Sequence, residues 1–334
     1  AMAGRREVTF AGAEANVAVA IAQLSGRAEF VTALPRNALT EACLANLRAL
    51  RVGVDRVRLT ESGRFGLFFL EPGANQRGGD VIYDREGSSF ALAGPETYPW
   101  RELLADADWF HFSGIAAGVS RVAAEATQSA VTVAREAGLT VSCDLNFRRK
   151  LWRWRNTSSP LDLFQRTMMK LLPDVDLLVG NAYDLAGVLG TTPNFDVTVP
   201  ESHLALTRQL ATQFPRLRWI AITLRQTKSA DRHGWGALLY RTSDGALFQA
   251  PVAEGVYRPY DIGAIVDRVG TGDAFTGALI YALRTSELAE PTRAISFATA
   301  AACLAHSVRG DYFLCKRAEV EALMNGDAAG HVSR

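Results

Sequence analysis

Charge of one sign is what this 334-residue chain most plainly lacks: 36 Lys and Arg stand against 35 Asp and Glu, a net charge of +1. Such a balance provides no basic field for nucleic acid or for an anionic membrane surface. Cysteine is scarce as well. Cys43, Cys143, Cys303 and Cys315 are widely spaced, with no Cys-x-x-Cys, which argues against a zinc site or a disulfide framework and fits a reduced cytoplasm. No apolar run reaches the ~18 residues of a membrane helix, and no signal-like segment opens the chain. Missing too are a Gly-x-x-x-x-Gly-Lys phosphate loop, a Gly-x-Gly-x-x-Gly after the first strand, His-Glu-x-x-His and Gly-x-Ser-x-Gly. Those absences remove P-loop, dinucleotide, zinc-protease and serine-hydrolase readings. A small-molecule ligand is left as the default. The hydrophobic content of 48% supports a large core, in one big α/β domain or two small ones.

What is present concentrates at Ile265-Val-Asp-Arg-Val-Gly-Thr-Gly-Asp-Ala-Phe-Thr-Gly-Ala-Leu-Ile-Tyr-Ala-Leu283. The β-branched run predicts extended backbone to Val269, then a turn over Gly270, Thr271 and Gly272, with Asp273 opening a helix over 274–283. At a helix start the first N–H groups lack intrahelical partners and carry the positive end of the dipole. Glycines there let an anion approach the backbone. A carboxylate beside that cradle suits a base that deprotonates a hydroxyl as a phosphoryl group is transferred to it. The alternative is that Asp273 is a plain N-cap.

Around it the chain alternates β and α signals. Strands are predicted over 7–10, 28–34, 109–113, 139–145, 175–179 and 219–224. Helices are predicted over 17–24, 39–50, 121–137, 161–172, 204–214 and 292–306. Such alternation predicts a doubly wound, mostly parallel sheet with ligands at the carboxyl ends of its strands. Phe65–Leu70 and Asp80–Asp84, separated by a Pro- and Gly-rich stretch, read as a hairpin outside the main layers. Period-2 geometry puts Tyr83 and Arg85 on one face of it. Residues after Gly326 read as a disordered tail.

The stretch Val-Asp-Arg-Val-Gly-Thr-Gly-Asp-Ala-Phe, with Gly12-Ala-Glu-Ala-Asn16, Asp144-Leu-Asn-Phe-Arg148-Arg-Lys-Leu-Trp152, Gly180-Asn181-Ala-Tyr-Asp184 and Thr223-Leu-Arg225 before Ser229, resembles the ribokinase-like (PfkB) carbohydrate kinases. It is most similar to the 2-keto-3-deoxygluconate kinases. The motifs keep the family's order over nearly the whole chain from Gly12 to Met324. The resemblance implies a ribokinase-like α/β kinase domain over 12–60 and 95–325, a small β lid over 5–11 and 62–94, and a tail over 326–334. It implies Asp273 as base, with the amides of Gly270, Thr271, Gly272 and Asp273 as an anion hole. Gly12, Asn16, Tyr83, Arg85 and Arg148 would hold the sugar acid. Asn181, Thr223, Arg225, Ser229 and His306 would line ATP, and Asp184 would organise Mg²⁺ indirectly. A homodimer through the lid is implied as well.

The chain departs from the pattern at Ala11, where the family has glycine, and at Asp184, where it has Glu. The pattern also carries one more strand ahead of Gly12 than the residues before Gly12 supply. Two arginines, Arg85 and Arg148, point to an acidic sugar, since a guanidinium fork matches a carboxylate. Arg148 in an ion pair with Asp144, Asn16 as a cap and Arg85 as a solvated side chain are the alternatives for single residues. For the whole chain they are a kinase of a neutral sugar such as fructose or ribose, or a sugar-acid sensor with little turnover.

Overall fold

A computed structural model of the chain describes residues 7–156 and 159–327. Its largest sheet has four parallel strands in spatial sequence, Trp109–Ser113, Thr140–Asp144, Leu177–Gly180 and Trp219–Thr227. His233–Arg241 turns back antiparallel along the last of these, and its far edge is shared by Ala246–Ala250 and Tyr260–Ile262. Successive strand residues face opposite sides, as the pleat requires. Leu178, Ile220, Ile222, Leu238 and Tyr240 enter one core, with helices Arg121–Glu136 and Pro160–Leu171. Leu177, Val179, Ala221, Ala237 and Leu239 enter the other, with helices Ala13–Gln23, Thr271–Leu283 and Pro291–Ala305. Helices therefore cover both faces, the expected doubly wound arrangement.

Leu67–Glu71 and Asp80–Asp84 form an antiparallel hairpin apart from that sheet, with Phe68 opposite Tyr83. Its Asn75 turn reaches the turn between Trp219–Thr227 and His233–Arg241: the Ala230 N–H donates to Asn75 O at 2.7 Å, and the Asn75 N–H to Asp231 Oδ2 at 2.7 Å. Lys150 Nζ, after strand Thr140–Asp144, donates to Asp80 Oδ1 and Val81 O at 2.6 and 2.8 Å. The hairpin thus lies across the carboxyl ends of the parallel strands.

Several local expectations need correction. Residues 7–10 are not a strand; Val8 is 82% exposed and no neighbour among the described residues is paired with it. Of 28–34, only Ala33–Pro35 is a strand, paired in parallel to Arg58–Thr60, with a bridge at Glu29. The first helix begins at Ala13, immediately after Gly12, so Asn16 is inside it and is not a cap. Residues 265–269 are not extended, because Asp267 Oδ1 accepts from the N–H groups of Arg268 and Val269 at 2.7 and 3.1 Å and curls the backbone. The helix opens at Thr271, with Gly270 as its N-cap and Asp273 inside the first turn. Most of the tail, residues 328–334, and positions 5 and 6 of the lid reading lie outside the described residues.

Candidate active site

Gly270 sits at φ 77°, a left-handed conformation that glycine adopts without strain, and a β-carbon there would meet Asp311 O at 2.0 Å. This turn aims the start of helix Thr271–Leu283 at the strand ends. Thr271 Oγ1 donates to Arg268 O at 3.1 Å. The amides of Thr271, Gly272 and Asp273 are the helix's orphan donors, and none has an acceptor among the described residues. A β-carbon on Gly272 would meet nothing within 4 Å, so the cradle is open where a ligand would approach.

Asp273 is buried, 8% exposed, and is held by residues from distant parts of the chain. Asn16 Nδ2 donates to its Oδ2 at 2.6 Å and Asn146 Nδ2 to its Oδ1 at 3.5 Å. The Asn16 amide also reaches Asp311 Oδ2 at 3.4 Å, and Asn16 Oδ1 accepts the Gly12 N–H at 3.2 Å. Burial first, then Asp144, holds the Asp273 carboxyl well above its usual range, while the Asn16 hydrogen bond and Arg148 oppose the rise. Burial likewise raises Asp144 to about 7, helped by Asp184, and raises Asp184 and Asp311 to about 6 each. A carboxylate tuned upward in this way is the stronger base near neutral pH.

Asn146 lies at φ 36° at the end of strand Thr140–Asp144, its N–H on Asp144 Oδ1 at 3.1 Å. Its Oδ1 is buried without a partner among the described residues, an acceptor set beside the Asp273 carboxyl. In the sequence Asn146 stands only within Asp144-Leu-Asn146-Phe-Arg148. The left-handed turn that aims it was not legible there.

Tyr83 and Arg85 share a face, with the Arg85 guanidinium carbon 5.7 Å from the Tyr83 ring centre and 5.9 Å from that of Phe68. Arg85 Nε is buried without an acceptor among the described residues. Arg148 is exposed and makes no ion pair with Asp144, although both it and Asp144 act on the charge of Asp273. Asn181 caps helix Ala182–Val188, its Oδ1 accepting from Tyr183 and Asp184 N–H at 3.0 Å each. Asp184 Oδ2 accepts the Phe147 N–H at 3.1 Å. Thr223 and Arg225 lie on strand Trp219–Thr227, and Ser229 Oγ accepts the Asp231 N–H at 3.2 Å. Arg148 and Arg268 both lie close enough to Arg225 to press its pKa down, after burial. His306 is buried rather than at the surface. It packs 5.1 Å from Trp235, has Nδ1 2.7 Å from Ala302 O, and its carbonyl accepts the Val266 N–H at 2.9 Å.

The fold thus brings together Asp273, the glycine turn before it, Asn16 and Arg148, all expected from the sequence. Asp311, Asp267 and Arg268, not expected there, reach the same place through the C-terminal turn and the 265–269 segment. Asp267 Oδ2 also accepts the Gly310 N–H at 3.1 Å, tying those two segments together. The Asp three residues before Gly270 was the available signal for this turn.

The family model for pfkB family carbohydrate kinases matches residues 2–225 and 237–317. The chain is similar to a solved structure of 2-dehydro-3-deoxygluconokinase from Thermotoga maritima, with 36% identity, a TM-score of 0.86 and coverage of 96% of this chain and 91% of that one. It is 33% identical over 325 residues to a 2-dehydro-3-deoxygalactonokinase of Haloferax volcanii, covering 97% of this chain and 90% of the relative. A 2-dehydro-3-deoxygluconokinase of Thermoproteus tenax is 27% identical over 307 residues, covering 90% of this chain and 80% of the relative. With a buried aspartate at a glycine-opened helix start and a family match over most of its length, the chain belongs to the pfkB family of carbohydrate kinases.

Proposed function

We propose that the protein transfers the γ-phosphoryl group of ATP to the terminal hydroxyl of 2-keto-3-deoxygluconate, giving 2-keto-3-deoxy-6-phosphogluconate. The observation that carries the choice of an acidic sugar is Arg85, whose Nε is buried and unpartnered under the lid hairpin while its guanidinium lies near the Tyr83 and Phe68 rings. A buried donor on a cation asks for an anionic acceptor, and a keto-acid carboxylate is one. Arg148, exposed at the carboxyl end of the neighbouring strand and free of an ion pair with Asp144, supports the same reading.

In this reading Asp273 takes the proton of the hydroxyl, Asn16 and Asn146 hold its carboxylate in place, and the amides of 271–273 receive the negative charge of the transferring group. Asn146 Oδ1 and Gly12 face the sugar hydroxyls. Asn181, Thr223, Arg225, Ser229 and His306 lie along the nucleotide. Mg²⁺ fits the charge of this site: Asp144 and Asp184 are buried carboxyls with raised pKa, and Asp184 raises that of Asp144, a strain that a nearby divalent cation relieves. Among the described residues no cluster of three or more metal-ligating side chains occurs. An ion that keeps its waters and rides on the phosphates needs no such cage, and Asp184 would act on it through water. When bound, the ion neutralises phosphate charge.

Leu67, Phe69 and Ile82 are exposed on the outer face of the hairpin, which supports a homodimer formed through the lid. Light scattering on the purified protein should give twice the chain mass.

A coupled ADP-release assay with ATP, Mg²⁺ and either 2-keto-3-deoxygluconate, its galactonate epimer, fructose or ribose tests the substrate class. Turnover confined to the keto-acids is expected. Turnover on fructose or ribose would overturn the arginine argument, and binding without turnover would favour a sensor.

A further inference from the structure

Arg268 lies two residues before the glycine turn at Gly270. Its backbone is fixed on both sides: its N–H donates to Asp267 Oδ1 at 2.7 Å, and its carbonyl accepts Thr271 Oγ1 at 3.1 Å. The guanidinium runs the other way, to the lid. Arg268 Nη2 lies 2.9 Å from where a β-carbon on Gly79 would sit, so the guanidinium approaches the lid backbone at that glycine. The lid hairpin is held over it by the Asn75 contacts with Ala230 and Asp231 and by Lys150 on Asp80.

Arg268 also adds to a concentration of positive charge. It and Arg148 act on Arg225 from nearby, and it acts on His233. None of Arg148, Arg225 and Arg268 has an ion-pair partner among the described residues, and the nearest carboxylate in sequence, Asp267, has both oxygens on backbone amides. Arg148 also faces Asp144, Asp184 and Asp273, whose carboxyls it pulls down, so the pair left without a counter-charge is Arg225 and Arg268. Two such guanidiniums repel one another unless an anion joins them. An anion with more than one charge suits both.

We propose that Arg268 is a further nucleotide-binding residue: it contacts the phosphates of ATP together with Arg225, and the closed lid seats its side chain for that contact. The inference rests on the reading of an ATP-dependent kinase but not on which sugar is phosphorylated. The lid backbone at Gly79 lies over the guanidinium, and a side chain already held under the lid loses less freedom when the phosphates bind. The lid and the nucleotide would accordingly favour one another.

Calorimetric titration of Mg²⁺-ATP into the intact wild-type protein and into Arg268→Ala and Arg268→Lys, without sugar, reads the contact directly. Arg268→Ala should weaken ATP binding about tenfold or more, as expected for a hydrogen bond to a charged group, with Arg268→Lys intermediate. The KM for the sugar acid should stay within about twofold. Asp231→Ala, which releases the lid tip and touches none of the arginines, should weaken ATP binding less than Arg268→Ala does. ATP affinity unchanged in Arg268→Ala, with KM for the sugar acid raised, would assign the arginine to the carboxylate and overturn the proposal. Unchanged affinity for both would reduce it to a prop for the lid. Wild-type protein that binds ATP but does not phosphorylate the keto-acid would refute the proposed substrate and leave this comparison intact. If Arg268→Ala does not fold, Arg268→Lys and Asp231→Ala carry the test.

Discussion

Asp273 keeps its proton to higher pH than a solvated carboxyl does, and the Asn16 amide is the hydrogen bond that restrains this. In the role of base proposed for it Asp273 works ionised, so activity should rise with pH as it loses its proton. Removing the donor with Asn16→Ala stabilises the neutral form and moves the acid limb of the kcat/KM profile to higher pH; an unshifted limb would detach the limb from Asp273. Asp273→Asn should lower kcat by roughly 10²–10⁴ with little change in KM, whereas Arg148→Ala should mainly raise KM for the sugar acid. Steady-state kinetics on the two variants separates these effects. The place of Asp273 at a helix start was legible from the glycines at 270 and 272 that precede it. Its partner Asn16 was recognisable as polar in an apolar helix, but 257 residues separate the two and nothing local announces the contact.

At the scale of the element, the two glycines of the cradle have different tasks. Gly270→Ala must place a methyl group on Asp311 O at a positive φ, so the loop has to rearrange, and both the melting temperature and turnover should fall. Gly272→Ala meets open space within a helix, where alanine is favoured by roughly 0.5–1 kcal/mol. It should keep or raise the melting temperature while turnover drops, because its methyl faces the incoming phosphoryl group. Thermal unfolding alongside the kinase assay distinguishes them, and equal losses of stability would contradict the geometry. The parallel strands were legible from their apolar runs, and Trp109–Ser113 was placed to the residue. His233–Arg241 was not, since glycines at 234 and 236 disguise a buried strand. Tyr257 explains one of them: a β-carbon on Gly236 would lie 2.1 Å from its hydroxyl. Residues 265–269 erred in the other direction, their β-branched content being overridden by the Asp267 turn.

For the molecule as a whole, the buried titratable groups act on stability in two directions. Asp144 at about 7 and Asp184 and Asp311 at about 6 are all raised above ordinary carboxyl values, with Asp273 raised as well. Between roughly pH 4, where such groups titrate in an unfolded chain, and about 7, the folded state holds more protons on them than the unfolded one, so their contribution falls as pH rises through that window. Burial holds His111, His203, His233 and His306 below the usual imidazole range, and their contribution rises with pH over the same window. Comparison isolates the carboxyl part: relative to wild type, the melting temperature of ligand-free Asp144→Asn should increase from about pH 5 to 7.5. A difference that does not change with pH would contradict this.

The joining of Asn16 to Asp273 also has a temporal meaning. Helix Ala13–Gln23 leaves the ribosome well before the helix that carries Asp273, and before Asp311, which packs on Gly270. A growing chain can assemble the parallel strands as they emerge, yet Asn16 has no carboxylate to hold, and no cradle is offered to an anion, until the segment from Gly270 to Asp311 has been synthesised. Closing a loop of 257 residues is also slow. Phosphoryl transfer should thus appear late in refolding, after most secondary structure, once Asn16 and Asp273 have met.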